Sequence, residues 1–408
     1  MVISLAFIFL FGLLLSTLFK AIKLPHIIGI LLAGIVIGPF CLNLLDDSIL
    51  SVSSDLRQIA LIIILLKAGL SLNLSDLKKV GRPAILMAFL PAALEIIAYV
   101  VFAPLIFKIS RIDAAVMGSV LAAVSPAVVV PQMLKLMDEK RSTGKSIPQL
   151  IMAGASCDDI FVIILFSAFC CMAQGGSASV MDFAHIPISI ILGVLLGIVI
   201  GFALYLLFSL TQKHNHSIPD TVKVVLILGF AFLMMGVELW LKGIVSVSGL
   251  LAVVAMGCVI KTKTYSDVTE KLSSSFGKLW VAAELILFVL VGASVDISYT
   301  LTAGASALLM IAIALVFRSI GVMLCLIKTK LNFKERLFCV IAYLPKATVQ
   351  AAIGAVPLAM GLPSGQIILS VAVLAILITA PLGAIGIKFT KTRLLNDDSL
   401  PQPDMNTP

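Results

Sequence analysis

Apolar residues run through this chain in long blocks, each broken by a short polar stretch. Thirteen blocks approach or exceed the roughly twenty residues a helix needs to cross a bilayer. They cover residues 2–19, 26–45, 57–74, 84–107, 113–136, 148–172, 186–210, 221–241, 244–261, 276–296, 301–327, 335–360 and 366–387. The boundary between the eighth and ninth is the faintest. In lipid a backbone must satisfy its own polar groups, so blocks this long predict helices. The expected fold class is an all-α polytopic membrane protein with 13 transmembrane helices. The polar stretches are short loops and a tail after Lys388, too little for a separate soluble domain. The first block lacks a small-residue cleavage site and reads as a retained helix, not a signal peptide.

Composition agrees: 61% of residues are hydrophobic, 12% are charged, and the mean hydropathy is +1.17, which excludes an ordinary soluble domain. The net charge of +8 raises nucleic acid as a partner, but its distribution argues against one. Of the 29 Lys and Arg, 22 follow odd-numbered blocks or lie in the tail, while the loops after even-numbered blocks hold only Arg57, Lys108, Arg111 and Lys242. This is the positive-inside pattern; it predicts a cytoplasmic C-terminus and, with thirteen spans, an external N-terminus. The short loops and tail suggest a prokaryotic inner membrane. All seven Cys fall inside apolar blocks without metal-type spacing, and His214 and His216 read as a solvated loop. No cofactor is expected.

Charges inside the blocks are the exceptions that carry chemistry. Asp158 and Asp159 are adjacent in the apolar run from Ile151 to Ala173. A carboxylate at membrane depth costs about 3 to 10 kcal/mol, depending on the scale. Two side by side repel, so at least one must hold a proton or a cation, or face a base. Three bases also lie well inside blocks, away from their ends: Lys67, Arg318 and Lys346.

The chain repeats itself weakly. Gly69-Leu70-Ser71-Leu72-Asn73-Leu74 matches Gly292-Ala293-Ser294-Val295-Asp296-Ile297 at an offset of 223, and Pro126-Ala127-Val128-Val129-Val130 resembles Pro345-Lys346-Ala347-Thr348-Val349 at 219. Gly29-Ile30-Leu31 parallels Gly249-Leu250-Leu251 at 220. Each match is slight, but the nearly constant offset is not. It shifts the chain by seven blocks, an odd number, so equivalent helices run in opposite senses. Two inverted six-helix repeats are expected, with the seventh block as connector, a signature of secondary transporters.

The fifth and twelfth blocks are repeat mates, and both contain proline: Pro126 and Pro131 in one, Pro345 in the other. Proline removes a backbone hydrogen bond and clashes with the preceding turn. Two such positions predict discontinuous helices that cross near the midplane. Lys346 would offset carbonyl ends there, and Ser125 and Thr348 would offer oxygens to a cation.

GASCDDI, AAVSPAVVVP and LPKATVQAAIG resemble the cation/proton antiporters with an Asp-Asp motif, and most of all the NHA branch of sodium/proton exchangers. The resemblance covers nearly the whole chain. It implies a fold like that of NapA and NhaA. Residues 1–79 and 217–298 would form a dimerisation domain, 80–175 and 299–390 a moving core, 176–216 a linker helix, and 391–408 a cytoplasmic tail. It implies exchange of Na⁺ or Li⁺ for H⁺, not an enzymatic reaction, by a homodimer in lipid. Asp159 would be the shared cation and proton carrier, with Asp158 a second ligand or an ion-pair partner. Arg318 falls where many such antiporters have lysine, and arginine does not release its proton. Exchange is therefore expected to be electroneutral.

Glu95 is the repeat mate of Arg318, and an ion pair between them is expected in preference to one with Asp158. Lys67 is read as structural; Glu284 as lining the cavity or dimer contact; Glu238 as facing an interface. An intramembrane aspartyl protease would place one acid on each of two helices within G-x-G-D, which is absent. A sodium-coupled symporter of similar fold is the nearer alternative, but a charge-dense core leaves little room for an organic substrate.

Overall fold

The structure, a computed structural model, describes residues 1–22, 24–71, 81–139, 145–174, 180–213, 218–241, 247–264 and 266–395. The helices are α1 (Val2–Ala21), α2 (His26–Ile37), α3 (Asp47–Leu50), α4 (Ser53–Ser71), α5 (Arg82–Met87) and α6 (Leu90–Phe107). Next come α7 (Arg111–Leu121), α8 (Pro126–Asp138), α9 (Ile147–Gln174), α10 (Val180–Lys213), α11 (Asp220–Leu241) and α12 (Gly249–Lys263). The last are α13 (Ser266–Ala293), α14 (Ile297–Cys325), α15 (Phe333–Ala342), α16 (Thr348–Gly354), α17 (Val356–Ala359) and α18 (Gly365–Leu394). No strand occurs among the described residues.

Nine spans among the described residues are long and apolar enough to cross a membrane, α5–α6 and α7–α8 counting as one each. The other expected blocks are helical but fall short of that. α2 and α12 have only 12 and 15 residues, and the α15–α17 stretch is interrupted. α4 carries Asp55, Arg57 and Lys67.

Helix ends follow local chemistry. Ser110 accepts from the Asp113 N–H at 3.0 Å and caps α7. Asn332 and Glu335 form a reciprocal capping box on α15, at 2.9 and 2.8 Å. Three expectations are corrected here. The second block ends at Ile37, not at residue 45, because Gly38 precedes Pro39 and is extended (ψ 171°). The fourth block is broken at Ala88–Phe89, ahead of Pro91, which cannot donate to the Met87 carbonyl. The last helix runs past residue 387 to Leu394, where Lys391 pairs with Glu139 at 2.6 Å.

α6 packs along α14 and α7, and α9 against α7 and α8, while α13 packs on α2 and α4, and α12 on α4 and α10. Glycines permit the closest crossings. A Cβ on Gly257 would lie 3.1 Å from Gly69 Cα, and one on Gly292 would lie 3.1 Å from Gly34 Cα. Small residues at such contacts let helices approach where lipid supplies no hydrophobic drive.

Candidate functional site: a charged crossing of two broken helices

Pro126 has no N–H, so the Ala122 carbonyl loses its helical partner and α7 stops at Leu121. A second break runs from Tyr343 to Ala347, between α15 and α16. The two unwound stretches touch: the Ser125 N–H donates to the Pro345 carbonyl at 2.8 Å, and the Ser125 and Thr348 hydroxyls lie 3.4 Å apart. All three residues are buried.

Backbone groups freed inside a membrane protein must be satisfied by the protein or by water. Here side chains supply many of the partners. Arg318 on α14 donates to the Ala122 carbonyl through Nη1 and to the Tyr343 carbonyl through Nε at 2.6 Å. Lys346 Nζ lies 2.5 Å from the Leu121 carbonyl. Gln350 donates to the Ala123 carbonyl at 2.8 Å and more weakly to that of Leu121 at 3.4 Å. Asp158 accepts from the Val124 N–H at 2.8 Å. Thr379 on α18 accepts from the Lys346 N–H at 2.9 Å.

The same cations bind acids. Arg318 Nη1 is 2.8 Å from Glu95 Oε2, and Nη2 is 2.9 Å from Asp158 Oδ2. Lys346 Nζ is 2.7 Å from Glu95 Oε1. The side chains of Glu95, Asp158, Arg318 and Lys346 are all at most 1% exposed. The expected choice between Glu95 and Asp158 is therefore corrected: Arg318 is long and forked, and it bridges both. Lys346 meets carbonyl ends as expected, but also Glu95, which the sequence did not suggest.

Asp159 stands apart. Its Oδ1 is buried and accepts no hydrogen bond among the described residues, and no base pairs with it there. Residues at i, i+7 and i+11 share a helix face. From Asp159 that face carries Phe166 and Cys170, which line a cavity of about 410 Å³, with buried Ile163 between. The cavity lies between α4, α11 and α12 on one side and α9, α16 and α17 on the other.

Gln350, Thr379 and Tyr343 were missed from the sequence. Gln350 had a signal, being an amide side chain inside an apolar block; a threonine or tyrosine there does not stand out. Tyr343 places its ring 5.4 Å from the Arg318 guanidinium and its hydroxyl 3.5 Å from the Met87 carbonyl that Pro91 cannot reach. Lys67 lies outside this cluster, its Nζ 6.0 Å from the Trp280 ring. Glu284 is 3.3 Å from His26 Nε2, and Glu238 accepts from the Gly249 N–H at 3.1 Å. His214 and His216 fall outside the described residues.

Residues 5–392 match the sequence profile described as sodium/hydrogen exchanger, transmembrane. The chain belongs to the sodium/hydrogen exchanger family. This exchanger-family chain is 32% identical to sodium/hydrogen exchanger 9B2 of Mus musculus over 385 residues, 91% of its own length and 69% of the relative's. It is 35% identical to sodium/hydrogen exchanger 9B1 of Homo sapiens over 383 residues, 89% and 71% of the two chains. Its fold matches the sodium proton antiporter MjNhaP1 from Methanocaldococcus jannaschii with a TM-score of 0.81, covering 96% of this chain and 97% of that one at 21% identity. The cation/proton antiporter membership implied by the motifs is thereby shown.

Proposed function

We propose that the chain exchanges Na⁺ or Li⁺ for H⁺, with Asp159 as the shared site. One observation carries this reading: three carboxylates and two bases lie at or beside the crossing. Glu95 and Asp158 are matched by Arg318 and Lys346, which leaves Asp159 without a base among the described residues. A lone carboxylate charge at that depth is expensive. It calls for one proton or one monovalent cation at a time, which is the logic of exchange. Asp158, Ser125 and Thr348 complete the cation's oxygen ligands, and the one-for-one replacement makes the cycle electroneutral.

In this reading the core of residues 80–175 and 299–390 moves against a scaffold of residues 1–79 and 217–298, alternately exposing Asp159 to each side. Residues 176–216 link them, and the scaffold holds a homodimer. Support for two inverted repeats comes from contacts that respect one offset. Glu95 meets Arg318 and Ser125 meets Thr348, both 223 positions apart. The close contacts Gly69–Gly257 and Gly34–Gly292 exchange under the same shift. Loop charge supports a cytoplasmic C-terminus, and a prokaryotic inner membrane goes with the short loops.

The test is flux in proteoliposomes with a pH-sensitive dye inside. An imposed Na⁺ gradient should drive protons the opposite way with no other solute present. A sodium-coupled symporter would move no protons without its organic partner, so a silent dye would overturn antiport.

A further inference from the structure

The cavity beside α9 contains a charge for which cation exchange has no use. Arg57, on α4, is 9% exposed and lines it. Its guanidinium donates to Ser294 Oγ at 2.8 Å and makes no ion pair among the described residues. Guanidinium has five N–H donors, so most of its capacity remains for something in the cavity. A fixed positive charge in the wall repels a cationic cargo; it suits an anion. Glu238, also in the wall, is already engaged by the Gly249 N–H. Much of the remaining surface is apolar, including Leu61, Phe166, Leu239, Leu250 and Met360. A volume of about 410 Å³ falls in the range of small-molecule sites.

We propose that this cavity binds an amphiphilic monoanion, with a carboxylate or sulfonate head on Arg57 and an alkyl body against Phe166, Leu239 and Met360. Arginine is the side chain best shaped for such a head, which it holds by two parallel hydrogen bonds. An occupant would fill the space between α4, α11 and α12 and the facing α9, α16 and α17, on the face of α9 that leads to Asp159. It would block the passage and prevent the two sides from closing. That inhibitory consequence rests on the exchange reading above; the binding does not.

The test uses the full chain in nanodiscs of neutral lipid and a decanesulfonate carrying a photoreactive diazirine. Sulfonate is a permanent anion and carries no protons across the bilayer, which keeps flux readings clean. Crosslinks should map to Arg57–Leu61, Phe166–Gln174, Met235–Leu239 and Val247–Leu250. Decanesulfonate should compete them away, while decyltrimethylammonium and decanol should not. Arg57→Gln should weaken that competition about tenfold, the loss of one charge-assisted contact, and Arg57→Lys should restore much of it. Should Arg57→Gln fail to fold, wild type and Arg57→Lys with the three competitors still decide. Crosslinks confined to lipid-facing helices, or equal competition by the cation, would overturn the site. Decanesulfonate should also slow Na⁺-driven proton flux. Saturable cavity labelling without slower flux would keep the site and refute its coupling to exchange.

Discussion

Ser125 and Thr348 are 223 residues apart in sequence, yet their hydroxyls lie 3.4 Å apart at the meeting point of two broken helices. Glu95 and Arg318 have the same separation and form an ion pair at 2.8 Å. In the proposed inverted repeat Glu95 touches its own mate, so both lie close to the axis that relates the repeats. The proposed pseudo-two-fold thus runs through the charged crossing, where the two halves meet most directly.

Asp159 has no base to neutralise it among the described residues, and this gives the first prediction. Asp159→Asn should abolish Na⁺-driven proton flux while leaving the thermal unfolding temperature near that of wild type. In wild type, protons fill the site first as pH falls, so the Na⁺ concentration for half-maximal flux should rise toward acid. A half-saturation value independent of pH would argue against a shared site.

Charge matching at the crossing gives the second. In the proposed cycle each turnover exchanges one proton for one Na⁺ on Asp159, and Arg318 has no proton to give. A potential set by K⁺ and valinomycin, without a pH or Na⁺ gradient, should move no net Na⁺ into proteoliposomes. Robust uptake would mean that a second proton travels, with Asp158 the nearest candidate.

Arg318 bridges two acids, so it should couple to both. Removing one partner of a buried pair typically costs about 3–5 kcal/mol, because the other charge is left uncompensated. Arg318→Gln should therefore destabilise the protein strongly. Its double variants with Glu95→Gln and with Asp158→Asn should each lose less than the sum of the single losses. Additive losses in either cycle would remove that arm of the bridge.

The break after α7 traces to a missing N–H, and this can be tested by restoring it. Pro126→Ala gives residue 126 a donor for the Ala122 carbonyl, in competition with Arg318. We expect a more continuous helix, slower hydrogen exchange of the backbone there, and lower flux. Wild-type flux with unchanged exchange protection would show that the proline is not what keeps the helix open.

Much was legible in the sequence because a bilayer is a severe solvent. Its thickness sets block length, its low polarity makes each intramembrane charge conspicuous, and proline marks where a backbone bond is missing. Those constraints act locally, so the helical class, the Asp158–Asp159 pair, Lys346, Arg318 and the two interrupted blocks could be found from residue order alone. Partner choice is not local. Arg318 reaches Glu95, Asp158 and two carbonyls because four separate segments converge on one guanidinium, and Gln350 and Thr379 matter only because unwound backbone lies beside them. The break before Pro91 was missed for a related reason: proline at a helix start is tolerated or disruptive according to its neighbours. Tertiary structure likewise decided which acid stays unmatched among the described residues, since that depends on how far two bases reach and not on where they stand in the chain.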